Sequence, residues 1–192
     1  TIDLVVVATD TPDMKAASTA AYTASEIGAT NAFSFDLDAA CSSFLFGMSV
    51  ASRYIESGVY KKVLLIGADK NSSMINYEDR ATCIIFGDGA GAVVMTRAEN
   101  NETGILSSHL HSEGKYAEEL SLIGPNTGRW VPEIMEANDP DDISYYPYMN
   151  GQFVFKNAVV RFAEVINEGL QKTGWTADQI GMLIPHQANL RI

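Results

Sequence analysis

The feature that most constrains this chain is an alternation of short, strand-like apolar runs with segments of helical period. Ile2-Asp3-Leu4-Val5-Val6-Val7-Ala8 is β-branched and apolar and reads as a strand covered on both faces. Thr9 to Pro12 breaks it. Ala16 to Ile27, rich in Ala, Ser and Thr, reads as a helix with Gly28 as its stop. Phe33 to Leu37 alternates like a strand and runs into Ala39-Ala40-Cys41. From there Phe44, Met48, Ala51 and Ile55 recur on one helical face, with Phe46 and Val50 on another, until Gly58. Val63 to Ala68 is a further buried strand. Strand, helix and strand at this spacing predict βαβ units: a parallel sheet with helices on both faces.

The second half is less regular. Cys83-Ile84-Ile85-Phe86 and Ala92-Val93-Val94-Met95 read as two strands around a tight corner at Gly87-Asp88-Gly89-Ala90-Gly91. Residues 99–148, with Pro125, Pro132, Pro140 and Pro147, read as a loop-rich connection. From Asn150 a long helix is expected through Phe155, Val159, Phe162, Ile166 and Leu170. Thr176-Ala177-Asp178-Gln179 has the capping-box form that opens a short helix. Gly181 to Ile184 reads as a last strand feeding Pro185-His186-Gln187.

Composition removes several classes of function. The formal charge of −11 disfavours nucleic acid and anionic membranes as main partners. An acidic protein partner would need a local basic patch. No apolar run approaches the ~20 residues that span a bilayer. The chain opens at Thr1-Ile2-Asp3 without an initiator Met or a charged leader, so it is expected to be a piece of a longer protein without a signal peptide. Two cysteines, Cys41 and Cys83, make neither a disulfide scaffold nor a four-ligand zinc site, and a cytoplasmic location is expected.

Cys41 stands where a buried strand ends and a buried helix begins. There, free backbone N–H groups and the positive helix end would favour a thiolate and hold a developing oxyanion. A free Cys is equally at home as a small buried hydrophobe, and position alone leaves both readings open. His186 follows a buried run and Pro185, which presents its ring at the edge of a sheet; a hydrogen-bonded structural His is the plainer reading. His109 and His111 alternate in an expected strand flanked by Ser and read as surface residues. Asp139, Asp141 and Asp142 read as a solvated loop, and no metal site is expected. The Gly-rich corner is followed by a strand, not by the helix a nucleotide fingerprint requires.

Taken together, Asp38-Ala39-Ala40-Cys41-Ser42-Ser43-Phe44, Arg80-Ala81-Thr82, Ile85-Phe86-Gly87-Asp88-Gly89-Ala90-Gly91-Ala92 and Pro185-His186-Gln187-Ala188-Asn189-Leu190-Arg191-Ile192 resemble β-ketoacyl-acyl-carrier-protein synthase III in order and spacing. Asn150-Gly151-Gln152-Phe153-Val154-Phe155-Lys156 is similar to that family's segment opening its long helix. The resemblance covers essentially the whole chain. It implies an α/β, thiolase-like α-β-α-β-α sandwich with mixed sheets, here incomplete at both ends. Residues 1–98 would be the remainder of the N-terminal half carrying the nucleophile, 99–148 a connection, and 149–192 the start of the C-terminal half carrying the catalytic His. It further implies Cys41 as the acylated nucleophile and His186 as one member of a Cys-His-Asn set. Arg80 would contact the nucleotide end of coenzyme A, Gly151 and Asn189 the pantetheine tunnel, and Phe86 the acyl pocket. Lys156, Gln187 and Arg191 would meet the acyl carrier protein.

The implied reaction is a decarboxylative Claisen condensation of an acyl-CoA primer with malonyl-acyl carrier protein, initiating fatty-acid synthesis. It needs no cofactor beyond the coenzyme A thioester, and the enzyme is expected to be a homodimer. The chain stops before the stretch that would hold the catalytic Asn and the glycine loop, so residues 1–192 alone are expected to be inactive. Lys15-Ala16-Ala17 stands where the family often has a bulky aromatic followed by Pro, which would widen the partner subunit's acyl pocket unless a shifted loop fills the gap. Ser43 replaces a Gly common two residues after the nucleophile. The nearest alternative is a related enzyme of polyketide or other secondary metabolism. A non-catalytic partner subunit and a cysteine hydrolase are further readings, the first disfavoured by the presence of both Cys41 and His186, the second distinguished by release of free acid.

Overall fold

A computed structural model describes residues 1–100, 103–122 and 146–191. Its element order begins β1 (Leu4–Ala8), α1 (Thr19–Glu26), β2 (Phe33–Leu37), α2 (Ser43–Glu56), β3 (Lys62–Lys70) and β4 (Asp88–Thr96). It continues with the two-residue strands β5 (Leu120–Ser121) and β6 (Tyr148–Met149) and the long helix α3 (Gly151–Thr173). By contacts the chain divides into two units, Thr1–Lys70 with Asp88–Leu110, and Asn71–Gly87 with His111–Ile192.

The first unit is built around β1. Its five residues are all buried, as the unbroken Leu-Val-Val-Val-Ala run requires. The sheet order is β2-β1-β3-β4, with β1 parallel to both neighbours and β4 antiparallel to β3. Because side chains alternate across a strand, β1 supplies two cores. Leu4, Val6 and Ala8 join Val63, Leu65 and α2 residues Ala51 and Ile55. Val5 and Val7 join Ala20 and Ala24 of α1 on the other face. The parallel sheet with a helix on each face is as the βαβ spacing predicts. Gly47 lets α2 approach closely: a Cβ there would lie 2.6 Å from Cδ1 of the fully buried Leu65.

Helix α1 opens at Thr19, three residues later than the Ala-rich run predicts. Ala17 is in the left-handed region at φ +73°, which ends any helix running through it, and the Ser18 hydroxyl accepts the Ala21 N–H at 3.0 Å. Across the gap, Asp36 of β2 accepts the N–H groups of Thr19 and Ala20, both at 2.7 Å. One carboxylate thus satisfies two orphan donors of the helix and meets its positive end. At the other end Gly28, at φ +72°, closes the helix as expected.

Three strands expected from sequence are absent, each for want of a ladder. Residues 83–86 are not a strand: their backbone N–H groups are spent locally, Cys83 on Asp79 O, Ile85 and Phe86 on Thr82 O. Asp79 anchors these turns through the Ala81 N–H and the Thr82 hydroxyl. The glycines expected at a corner therefore lie inside β4, where Gly89 pairs with Asp69 and Gly91 with Gly67. The segment holding His109 and His111 is likewise irregular, although the surface reading of His111 holds: it is exposed and meets Glu168 at 2.9 Å. Gly181 to Ile184 forms no ladder either, and Met182, Leu183 and Ile184 are exposed.

In the second unit α3 matches its expected period. The Asn150 side chain accepts the Phe153 N–H and donates to Glu119 at 2.9 Å, and Gly174 closes the helix. Phe153 meets Tyr116 edge-on, with ring centroids 4.9 Å apart. Thr176 and Gln179 form the expected capping box, over a short 3-10 turn rather than an α-helix. Asp139, Asp141, Asp142, Pro125, Pro132 and Pro140 lie outside the described residues. No helix among the described residues is long and apolar enough to cross a membrane.

Replacing Asp36 by Ala removes both charge-assisted bonds to α1 and is expected to destabilise the protein by about 1–3 kcal/mol. Urea unfolding would show a lower midpoint with an unchanged slope.

Candidate active site

Parallel strands deliver their C-terminal ends to one edge of the sheet, and in the order β2-β1-β3 the crossover helices α1 and α2 lie on opposite faces. Three chemically active side chains follow at this edge: Cys41 after β2, Asp10 after β1, and Asp69 near the end of β3.

Cys41 lies in a 3-10 turn, Ala40–Ser42, that leads directly into α2. The turn is strained at Ala40, whose φ of +48° is left-handed for a residue with a Cβ. Such a conformation costs about 1–3 kcal/mol and needs the surroundings to impose it. They do. Asp38 accepts the Ala40 N–H at 2.9 Å, while the Ser43 hydroxyl accepts the Ala39 N–H and donates to the Ala40 carbonyl, both at 2.7 Å. The Ser42 N–H closes on Ala39 O at 3.1 Å. Ser43 is therefore the clamp of this elbow, and the mild packing conflict expected from its replacing Gly does not arise: its hydroxyl is used twice.

The thiol itself departs from expectation. The helix end and free N–H groups were expected to favour thiolate, yet the Cys41 thiol is pushed above its usual range. Desolvation is the largest cause, the Asp10 carboxylate the next, and the backbone N–H only partly offsets them. Although the residue as a whole is exposed, its sulfur is shielded enough for burial to dominate. Cys41 thus rests as a thiol.

Asp10 and Asp69 form a carboxyl pair that the sequence did not single out. Asp69 Oδ1 accepts the Asp10 N–H and the Thr9 hydroxyl at 3.0 Å, and the Thr11 hydroxyl at 3.2 Å. Asp10 has only its own backbone N–H to favour its charged form, and its Oδ1 is buried without a hydrogen-bond partner among the described residues. Desolvation first, and then the adjacent Asp69, push Asp10 up to about 7. Burial raises Asp69 as well, but the donors around it, including Asp10, hold it below the usual carboxylate range. The pair shares one proton, kept on Asp10. The available signal was an acidic residue just past each of two buried strands, at the edge where such sheets place their sites.

The remaining expected site residues lie in the second unit. Arg80 is exposed on the turns anchored by Asp79, and Phe86, half-buried, ends them. Gly151 is the first residue of α3, and Lys156 is exposed one and a half turns further on. His186, Gln187, Asn189 and Arg191 are exposed after Pro185, and the Asn189 side chain accepts the Arg191 N–H at 2.9 Å. In the first unit, a concavity is lined by Phe44, Gly67, Ala68, Asp69 and the Gly89–Val93 stretch of β4. A Cβ on Gly89 or Gly91 would meet nothing within 4 Å, so these glycines leave that wall bare. No group of three or more His, Cys, Asp or Glu placed to hold a metal occurs among the described residues.

Asp10 binds its proton more tightly folded than unfolded. Its contribution is therefore fully present below about pH 4 and is lost as pH rises through about 7. Asp10→Asn is expected to raise stability above pH 7 and to lose that advantage below pH ~4, read from urea midpoints at pH 4 and 8.

Residues 35–114 match the family model for 3-oxoacyl-[acyl-carrier-protein (ACP)] synthase III. The chain is 47% identical to the β-ketoacyl-[acyl-carrier-protein] synthase III of Chlorobium chlorochromatii over 191 residues, covering 100% of this chain and 57% of that protein. It superposes on the Thermus thermophilus β-ketoacyl-[acyl-carrier-protein] synthase III with a TM-score of 0.87 at 37% identity, over 99% of this chain and 56% of that one. A priming β-ketosynthase of the R1128 polyketide pathway follows at TM-score 0.79 and 31% identity, over 99% and 54%. The chain thus spans a little over half the length of its relatives and carries their thiolase-like α/β fold with mixed sheets. By sequence along its whole length and by backbone, the chain is similar to the 3-oxoacyl-[acyl-carrier-protein] synthase III proteins.

Proposed function

We propose that the protein containing this chain condenses an acyl-CoA primer with malonyl-acyl carrier protein, giving a β-ketoacyl-acyl carrier protein at the start of fatty-acid synthesis. The observation that carries the proposal is Cys41, held on a clamped elbow at the C-terminal edge of a parallel sheet, in a chain 47% identical to a synthase of that name.

In the first half-reaction the Cys41 sulfur attacks the thioester carbonyl of acyl-CoA. The C–S bond to the enzyme forms, the bond to coenzyme A breaks, and the thiol proton leaves with the coenzyme A sulfur. Because the thiol is protonated at rest, that proton must move as the bond forms. In the second half, malonyl-carrier protein loses carbon dioxide and the resulting enolate attacks the acyl-Cys carbonyl. A C–C bond forms, and Cys41 departs as thiolate and is reprotonated. His186 donates a hydrogen bond to the enolate oxygen, a role of the kind worth about 3–4 kcal/mol. Arg80, Phe86, Gly151 and Asn189 serve the coenzyme A and acyl portions, while Lys156, Gln187 and Arg191 give the acidic carrier protein a local basic surface on a chain of net charge −11. No cofactor or metal takes part beyond the thioester substrates, and the enzyme works as a cytoplasmic homodimer.

A second reading keeps the chemistry and assigns it to polyketide priming, favoured by the likeness to the R1128 ketosynthase. A depression lined by Met14, Ala17 and Tyr22 lies at the Lys15-Ala16-Ala17 segment, where side chains smaller than the family's aromatic would leave room for larger primers in the partner subunit's acyl pocket.

Intact-mass analysis of the full-length protein with a panel of acyl-CoAs is expected to show one acyl adduct, absent in Cys41→Ala. His186→Ala is expected to keep the adduct and to slow condensation by ~100-fold or more. Release of free acid in place of condensation would instead identify a hydrolase.

A further inference from the structure

We infer that Ser43 is a positioning residue for the Cys41 nucleophile, its hydroxyl holding the left-handed turn at Ala40 that sets where the sulfur lies. The inference rests on the reading of Cys41 as nucleophile. Ser43 is 3% exposed, and its Oγ lies 2.7 Å from both the Ala39 nitrogen and the Ala40 oxygen. It therefore ties the Asp38–Ala39 peptide to the Ala40–Cys41 peptide, across the Ala40 Cα that carries the φ of +48°. The Ser43 N–H also reaches the Ala40 carbonyl, so the helix that begins at Ser43 and the elbow before it share one residue.

The geometry separates this role from ordinary helix capping. The N-cap of α2 is Ser42, whose side chain makes no capping bond. The Ser43 hydroxyl instead points back across the turn, to the two residues preceding Cys41. With Ala or Gly at this position the Ala39 N–H loses its partner and the Ala40 carbonyl loses one of two bonds beside a strained residue, leaving Asp38 as the one side chain bonded to the turn, with the Ser42 and Ser43 N–H groups. The turn is then free to relax out of the left-handed region. Relaxation carries the Cys41 sulfur toward water and away from the Asp10 and Asp69 carboxyls.

The test uses Ser43→Ala and Ser43→Gly in the full-length protein. Acylation of Cys41 by an acyl-CoA is followed by mass mapping, and iodoacetamide alkylation of Cys41 is followed against pH. Both variants are expected to acylate ~10-fold or more slowly, since small displacements of a reacting atom are costly. The pH midpoint for alkylation is expected to fall toward that of an ordinary thiol, so that alkylation at neutral pH quickens while acylation slows. A variant that was merely less stable would show no such opposition. Wild-type acylation together with a wild-type midpoint, in whichever variant folds, would overturn the inference. If the unmodified protein takes up no acyl group, the functional reading fails, while the alkylation midpoints still decide whether Ser43 positions the sulfur.

Discussion

The first unit depends on β1 being buried on both faces between two parallel neighbours. Leu4, Val5, Val6, Val7 and Ala8 are almost wholly removed from water, each large side chain contributing about 1.5–3 kcal/mol. Because β1 is central and its neighbours run the same way, the chain segments after β1, β2 and β3 come to one edge. The helices that complete each crossover then have to lie on opposite faces, and the two halves of the core follow from the pleat alone. The placement of Cys41 near two carboxyl groups is a consequence of that packing and not of any local preference.

That placement has an electrostatic consequence. A thiol beside a helix start is ordinarily pictured as thiolate, but here burial and two carboxyl groups outweigh the helix end. Asp69 monopolises the nearby donors, which leaves Asp10 to carry the shared proton. While Asp10 holds its proton, the pair carries one negative charge rather than two beside the Cys41 sulfur. The elbow adds a second constraint, because Asp38, Ser42 and Ser43 all spend hydrogen bonds around the left-handed Ala40.

Much of the fold is legible in the order of residues alone. The strands at Leu4–Ala8 and Phe33–Leu37, the helix after Cys41 and the long helix after Asn150 follow from periodicity and capping residues. Apolar composition misleads where the hydrogen bonds go elsewhere. Cys83 to Phe86 looks like a strand, but Asp79 and Thr82 draw its N–H groups into turns. Met182 to Ile184 looks like one too, and no neighbouring strand among the described residues pairs with it. Gly87 to Gly91 looks like a corner, whereas β3 has a nine-residue antiparallel partner that takes in Gly89 and Gly91.

Sequence by itself determined the alternation of elements, the two-faced burial of β1, and the family to which Cys41 and His186 point, because hydrophobic period and motif spacing are local properties of the chain. Only the tertiary structure decided that Asp10 and Asp69 share a proton, that Cys41 rests as a thiol, and that Ser43 clamps the turn before it. Those depend on groups far apart in sequence, or on a backbone angle that residue type disfavours. Both are settled by which neighbours the packing brings within a few ångströms.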